Sequence, residues 1–248
     1  MNIDSKITYI DEADSSSDLI LENYKYSLDE FTSYVVMNQK NGRGRMGNRW
    51  NSSKGNLHFS TLIKPKNRIK FWPQLSFISA LAVKSSLSHY LIAKDDNIKF
   101  KWPNDIFIDN KKISGILIET TSDQKAVVVG IGINLINNPD IKNKYWKSIN
   151  FLDYFGIKII PEEISQLLLN EIMNFIKIWY VKGFPYIKNL WIKDALFLNE
   201  EMCSVDLKQN IKGTFIGLGE LGQIIIQDKN NETTQLSTGT LLPTKLMK

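Results

Sequence analysis

Residues 98–135 read IKFKWPNDIFIDNKKISGILIETTSDQKAVVVGIGINL, and the reading of this stretch decides the fold. Ile98–Lys101, Ile106–Ile108, Lys112–Thr120 and Ala126–Leu135 are short runs rich in β-branched and aromatic residues, separated by Pro, Asn, Asp, Ser and Gly. Such runs between turn signals are strands. Asp109-Asn110 marks a hairpin between the second and third. Upstream, Lys6–Ile10 alternates as a short strand, and Ser15-Ser16-Ser17 supply N-caps for a helix over Leu19–Tyr26. Tyr34–Asn38 and Leu57–Ile63 read as further strands, and Trp72–Ala93 carries apolar residues at helical spacing with Pro73 in its first turn.

Downstream, Pro161-Glu162-Glu163 opens a helix to about Lys182, and a third helix spans Pro185–Leu196. After Asn199 the pattern changes to short strands, Met202–Leu207, Ile211–Leu218, Gln223–Gln227 and Thr233–Leu236, punctuated by Gly213, Gly217, Gly219, Gly222 and Gly239. That spacing is the mark of a small β-barrel or SH3-like module. The expectation is an α/β (α+β) body over residues 1–197 with a small β appendage over 198–248.

Composition narrows the function. The chain has 248 residues, among them 33 Ile, 27 Lys and 23 Asn, residue types with A/T-rich codons. The net charge of +5 is spread along the chain and interrupted by acids throughout, which argues against a nucleic-acid interface. Cys203 stands alone and His58 and His89 lie far apart, so neither an internal disulfide nor a Cys/His metal site is expected. No uncharged apolar run approaches the roughly 20 residues of a membrane span. Met1–Asp14 holds four acids and no apolar core of a signal peptide. A cytoplasmic protein is the expectation. With a strand starting at residue 6, no helix-turn-helix domain is expected ahead of the body.

Four motifs carry chemistry. There are only four arginines, and Arg43, Arg45 and Arg49 fall in Gly42-Arg43-Gly44-Arg45-Met46-Gly47-Asn48-Arg49-Trp50. Guanidinium forks grip phosphate or carboxylate bidentately, and glycines let backbone N–H groups approach a ligand. The loop is not a P-loop or a dinucleotide fingerprint, because neither Gly-Lys-Ser/Thr nor a helix follows. Lys101-Trp102-Pro103-Asn104-Asp105 presents polar groups around a rigid corner. Lys112 enters an otherwise apolar strand, followed by Gly115, and is either a hairpin-end solubiliser or a cation aimed at a carboxylate. Gly130 and Gly132 alternate on the last strand and leave one face bare, for a flat ligand or for tight packing.

In this order and spacing the four motifs resemble the biotin protein ligase family, and the resemblance runs from about Tyr9 to the C-terminus. It implies a mixed β-sheet flanked by helices, like that of class II aminoacyl-tRNA synthetases, with an SH3-like C-terminal β-barrel, in the form without the N-terminal DNA-binding domain. It also implies ATP with Mg²⁺, biotin as substrate, and a biotin carboxyl carrier protein domain as acceptor. Carried over residue by residue, biotin falls to Ser15, Ser16, Gln39, Gly42, Lys112 and Gly115. The nucleotide falls to Arg43, Arg45, Trp50, Lys101, Asn104, Asp105, Gly130, Gly132 and Asn134. Arg43, Arg45 and Lys112 take the catalytic role, and Asp105 is the candidate Mg²⁺ ligand. The family's Ser-Thr-Asn triplet is Ser15-Ser16-Ser17 here, so Ser17 lacks the amide. A lipoate or octanoate ligase of the same superfamily is the rival within this chemistry. A nucleic-acid-binding module is the rival outside it. An exposed edge strand would suit a homodimer.

Overall fold

The computed structural model describes residues 7–91, 97–139, 145–205 and 211–246. The N-terminal body is built on seven strands: β1 (Ile7–Ala13), β2 (Ser33–Gln39), β3 (Leu57–Ile63), β4 (Ile98–Lys101), β5 (Asp105–Ile108), β6 (Lys111–Thr120) and β7 (Val127–Ile133). They lie in the order β1-β2-β3-β7-β6-β5-β4. β1 runs parallel to β2, and every other pair is antiparallel, so the sheet is mixed, as the family resemblance implied. Asp109 and Asn110 both take positive φ, 47° and 58°, the geometry of a tight hairpin turn.

Strand periodicity sorts the sheet into two faces. On one face Phe59, Ile131, Ile133, Val129 and Ile116 join the main core with helix α2 (Leu75–Ser88) and helix α4 (Pro161–Ile192). On the other, Leu62 and Val128 pack with Ile20 of helix α1 (Ser16–Asn23) in a small second cluster. A short helix α3 (Phe151–Phe155), capped by the Asn150 side chain, follows β7.

The helix expected from Trp72 begins three residues later. Residues Ile69–Gln74 form a 3₁₀ segment, and Trp72 and Pro73 belong to it. The chain is therefore already helical before Leu75, but in 3₁₀ form, and the regular α-helix is established only from Leu75. It ends at Ser88, and residues 92 and 93 of the expected span lie outside the described residues. The expected break between Lys182 and Pro185 is present inside α4, where Gly183 takes φ 72° and ψ 174°.

The second sheet holds β8 (Glu201–Ser204), β9 (Lys212–Leu218), β10 (Ile224–Gln227), β11 (Thr233–Leu236) and β12 (Leu241–Pro243), antiparallel in the order β11-β10-β9-β8-β12. Lys6, and residues 206 and 207 of the expected Met202–Leu207 strand, lie outside the described residues. Hydrogen bonds that join this part of the chain to the body include Trp102 Nε1 to the Gly222 carbonyl (2.9 Å), Gln74 Nε2 to the Glu220 carbonyl (2.7 Å) and Lys188 Nζ to the Leu218 carbonyl (3.3 Å). A Cβ at Gly222 would lie 2.4 Å from the Phe77 ring, so only glycine permits this approach. Among the described residues no helix is long and apolar enough to cross a membrane.

Gly183 occupies backbone space that is essentially closed to other residues. Replacing it by alanine is expected to cost about 1–3 kcal/mol, read as a lower urea midpoint at unchanged slope.

Candidate active site

The site is the part of the α1 face where side chains run out. Across the sheet, His58 of β3 pairs with Gly132 of β7, which pairs with Gly115 of β6, which pairs with Asp105 of β5. One step along, Ser60 pairs with Gly130, which pairs with Leu117. Directly opposed residues share a face. Three glycines among larger neighbours therefore leave a trough, part of a cleft of about 740 Å³. Trp50 from the arginine loop lies in it. A Cβ at Gly132 would come within 2.3 Å of its ring, and one at Gly115 within 3.0 Å.

A β-bulge aims the lysine. Residues 112 and 115 are three apart and would face opposite sides of a regular strand. The register between β5 and β6 slips between Ile106 and Phe107, so that Ile113 is the extra residue. The slip returns Lys112 to the Gly115 side. There Lys112 Nζ meets Asp105 Oδ1 at 2.6 Å and stands 5.6 Å from the Trp50 ring centroid. A lysine serving only as a hairpin-end solubiliser would have no need of this turn. Backbone bonds from Lys112 N to the Lys147 carbonyl and from Ile149 N to the Lys112 carbonyl fix the position.

The arginine loop folds back on itself. Trp50 N donates to the Gly42 carbonyl (2.8 Å) and Gly44 N to the Asn48 carbonyl (2.7 Å), around a 3₁₀ turn at Arg45–Gly47 where Met46 and Gly47 have positive φ. Arg43 is held by Asp18 of α1 and by both oxygens of Glu119 on β6 (2.9 and 3.1 Å). Arg45 donates to Asn104 Oδ1 (3.1 Å) and Thr238 Oγ1 (3.4 Å) and has no ion pair among the described residues. Burial lowers its proton affinity, and the negative charge of Asp105 partly restores it. Arg49 ties the far end of the loop to the Lys40 carbonyl at 2.5 Å.

Ser15 caps α1, its hydroxyl accepting from Ser17 N at 3.2 Å, and this holds Ser16 and Ser17 in the first turn against β3. Gln39 Oε1 accepts from Ser16 N at 2.8 Å, and Gln39 Nε2 donates to Ser52 Oγ in the loop at 2.9 Å. Loop, helix start and trough are therefore one hydrogen-bonded unit.

Ser15, Ser16, Gln39, Arg43, Arg45, Trp50, Lys101, Asn104, Asp105, Lys112, Gly115, Gly130, Gly132 and Asn134 all line the cleft. Gly42 does not. A Cβ there would meet the Trp50 carbonyl at 2.6 Å and both Gln39 Nε2 and Ser52 Oγ at 2.8 Å, so this glycine serves the loop's own closure. Asn134 is buried and donates to the carbonyls of Lys112 and Ile149, with Oδ1 unpartnered among the described residues. Lys101 is buried with Nζ 5.5 Å from the Trp146 ring centroid. Sequence reading missed His58, Ser60, Trp146, Gly239 and Thr240 in the lining, and Asp18 and Glu119 as holders of Arg43. His58 and Ser60 stand two apart on β3, and only their pairing with Gly132 and Gly130 shows that they line a cleft.

Residues 10–135 match the model of the biotin/lipoate A/B protein ligase family. A biotin–[acetyl-CoA-carboxylase] ligase of Paracoccus denitrificans is 29% identical over 192 residues, covering 75% of this chain and 80% of its own length. The bifunctional ligase/repressor BirA of Bacillus subtilis is 30% identical over 204 residues, covering 80% of this chain and 62% of its own. A biotin protein ligase from Aquifex aeolicus, solved in complex with biotin and ATP, has a TM-score of 0.83 at 27% identity over 96% of this chain and 99% of that one.

His58 supplies a pH test of this geometry. Burial pushes its imidazole below the ordinary value of 6.5, against the opposing bond to the Val36 carbonyl. The unfolded chain thus binds a proton that the folded chain refuses. The stability of the buried neutral ring is full above 6.5 and is lost as pH falls from there toward the folded value. His58→Asn, which keeps a donor to Val36, is expected to flatten the fall in urea midpoint between about pH 7.5 and about pH 5. An unchanged fall would place the acid sensitivity elsewhere.

Proposed function

Because the chain belongs to the biotin/lipoate A/B protein ligase family, we propose that it activates biotin with ATP and transfers it to a lysine of a biotin carboxyl carrier domain. The observation that carries this reading is the meeting of Lys112, Asp105 and Arg45 where the hydroxyl-lined recess opens toward the arginine loop. A carboxylate arriving from the recess would meet cations there, and so would a nucleotide's α-phosphate.

The reaction takes two steps. Biotin's carboxylate attacks the α-phosphate of ATP, giving biotinyl-5′-adenylate and pyrophosphate. The acceptor lysine's amine then attacks the mixed anhydride and releases AMP. Neither step needs a covalent enzyme nucleophile, so the protein's work is positioning and charge neutralisation. Lys112 and Arg45 offset the charge that grows on the phosphate. Arg43, already gripped by Asp18 and Glu119, holds the loop down and turns to phosphate only by exchanging those partners. Asn134 Oδ1 offers an acceptor on the nucleotide side. Asp105 is the carboxylate lining the cleft beside Lys112, and it suits the Mg²⁺ that accompanies ATP, an ion that keeps several waters and asks for one or two carboxylates. The loop covering the site shields the anhydride from water.

The catalytic domain ends near residue 197 in this reading, and the C-terminal domain lends the cleft Gly239 and Thr240. A cytoplasmic location follows from the use of ATP and a carrier protein, and β1, at the edge of the sheet, offers a second copy a strand to pair with.

The direct test is whether purified protein with ATP, Mg²⁺ and biotin labels an acceptor domain. Lys112→Ala and Arg45→Ala are each expected to lower biotin-dependent pyrophosphate exchange on the order of 10²–10³-fold while circular dichroism stays native. Near-normal exchange in both variants would overturn the assignment of the cations.

A further inference from the structure

Three hydroxyls lie in contact on the floor of the cleft. Ser60 Oγ is 2.8 Å from Ser16 Oγ and 3.0 Å from Ser17 Oγ, and Ser16 Oγ is 3.1 Å from Gln39 Oε1. Each hydroxyl owns one proton, so the chain has a direction, and Gln39 sets it. Its amide orientation is fixed because Oε1 accepts from a backbone N–H at Ser16, an obligatory donor, while Nε2 donates to Ser52. Two bare acceptors would repel at 3.1 Å, so the Ser16 proton lies toward Oε1. Ser16 Oγ must then accept from Ser60, and Ser60 must accept from Ser17. All three protons are consumed inside the chain, and only lone pairs remain for the cleft.

A second observation agrees. His58 is 1% exposed and lines the same floor two residues before Ser60. Its Nδ1 is 3.0 Å from the Val36 carbonyl, which can only accept, so Nδ1 carries the proton. Nε2 is left as a bare acceptor without a partner among the described residues. The side chains of the floor therefore offer acceptors at Ser17, Ser60 and His58. The room above them comes from Gly130, where a Cβ would lie 2.8 Å from Ser17 Oγ and 3.5 Å from Ser60 Oγ.

We propose that Ser60 is the hub of a polarised hydroxyl relay, Ser17 to Ser60 to Ser16 to Gln39, that turns only lone pairs of these serines toward the pocket and selects the substrate by the N–H donors of its ring. The proposal rests on the reading of the chain as a biotin ligase and adds specificity determinants to it. A cyclic urea brings two N–H donors to these acceptors. An aliphatic acid or a dithiolane brings none and strands buried acceptors, which is how polar sites reject analogues. The relay also accounts for a serine at position 17: a hydroxyl can donate to Ser60 and accept from the ligand at one atom.

The test compares biotin with the two isosteric analogues in which a ring oxygen replaces one ureido N–H. In wild-type protein, kcat/KM in pyrophosphate exchange is expected to fall on the order of 10–100-fold for at least one analogue. In Ser60→Ala the Ser17 hydroxyl is released from donating inward and can turn to donate to the ring oxygen, so the penalty should shrink to within about threefold. Ser17→Ala should shrink it likewise, and the KM for ATP in both variants reports that the nucleotide half is intact. Equal use of biotin and both analogues by wild-type protein would overturn the relay. So would a Ser60→Ala variant that loses activity on biotin and analogue in the same proportion. A wild-type protein with no biotin-dependent exchange would instead overturn the ligase reading itself.

Discussion

The two-residue period of three neighbouring strands is the constraint on which the rest of this structure depends. β3, β7 and β6 must bury one face against α2 and α4, and residues such as Phe59, Ile131 and Ile116 do so. That commits the alternate residues to the opposite face, where Leu62 and Val128 are large enough to pack under α1 but Gly130, Gly132 and Gly115 are not. The core and the cleft are thus two faces of one choice of register. A slip of one residue would exchange them.

A regular register cannot by itself place Lys112. Lys112 would point into the core were β6 regular, and burying an unpaired ammonium there is costly. The bulge at Ile113 resolves the conflict by turning Lys112 to Asp105, whose carboxylate offsets its charge. The arginines are handled differently. Arg43 is neutralised by two carboxylates from separate elements, which fastens the loop, whereas Arg45 is drawn inward to Asn104 and has no ion pair among the described residues. Three cations that look alike in the sequence therefore do different work because their partners differ.

The order of strands 98–135, the turn at Asp109-Asn110, the break before Pro185 and the change of pattern after Asn199 were all legible, because each rests on local backbone preference. The start of α2 was misjudged, since apolar spacing continues through Trp72 and does not tell the 3₁₀ segment Ile69–Gln74 from the α-helix that follows it. Cleft-lining residues announced by an unusual composition, such as the clustered arginines and paired glycines, were also legible. Ser60 and His58 were not, because a lone serine or histidine in an apolar strand looks like core until its cross-strand partners are known to be glycines.

The sequence by itself determined which segments become strands and helices, which faces are apolar, and that guanidinium and glycine chemistry meets in one loop. Those properties are carried by residue identity and spacing along the chain. Only the tertiary structure decided which side Lys112 faces, which carboxylates hold Arg43, that Thr240 of the C-terminal sheet reaches the cleft, and which way the protons run through Ser17, Ser60, Ser16 and Gln39. These depend on register, on a bulge, and on contacts between residues as far apart as Arg45 and Thr238, and no local preference encodes them.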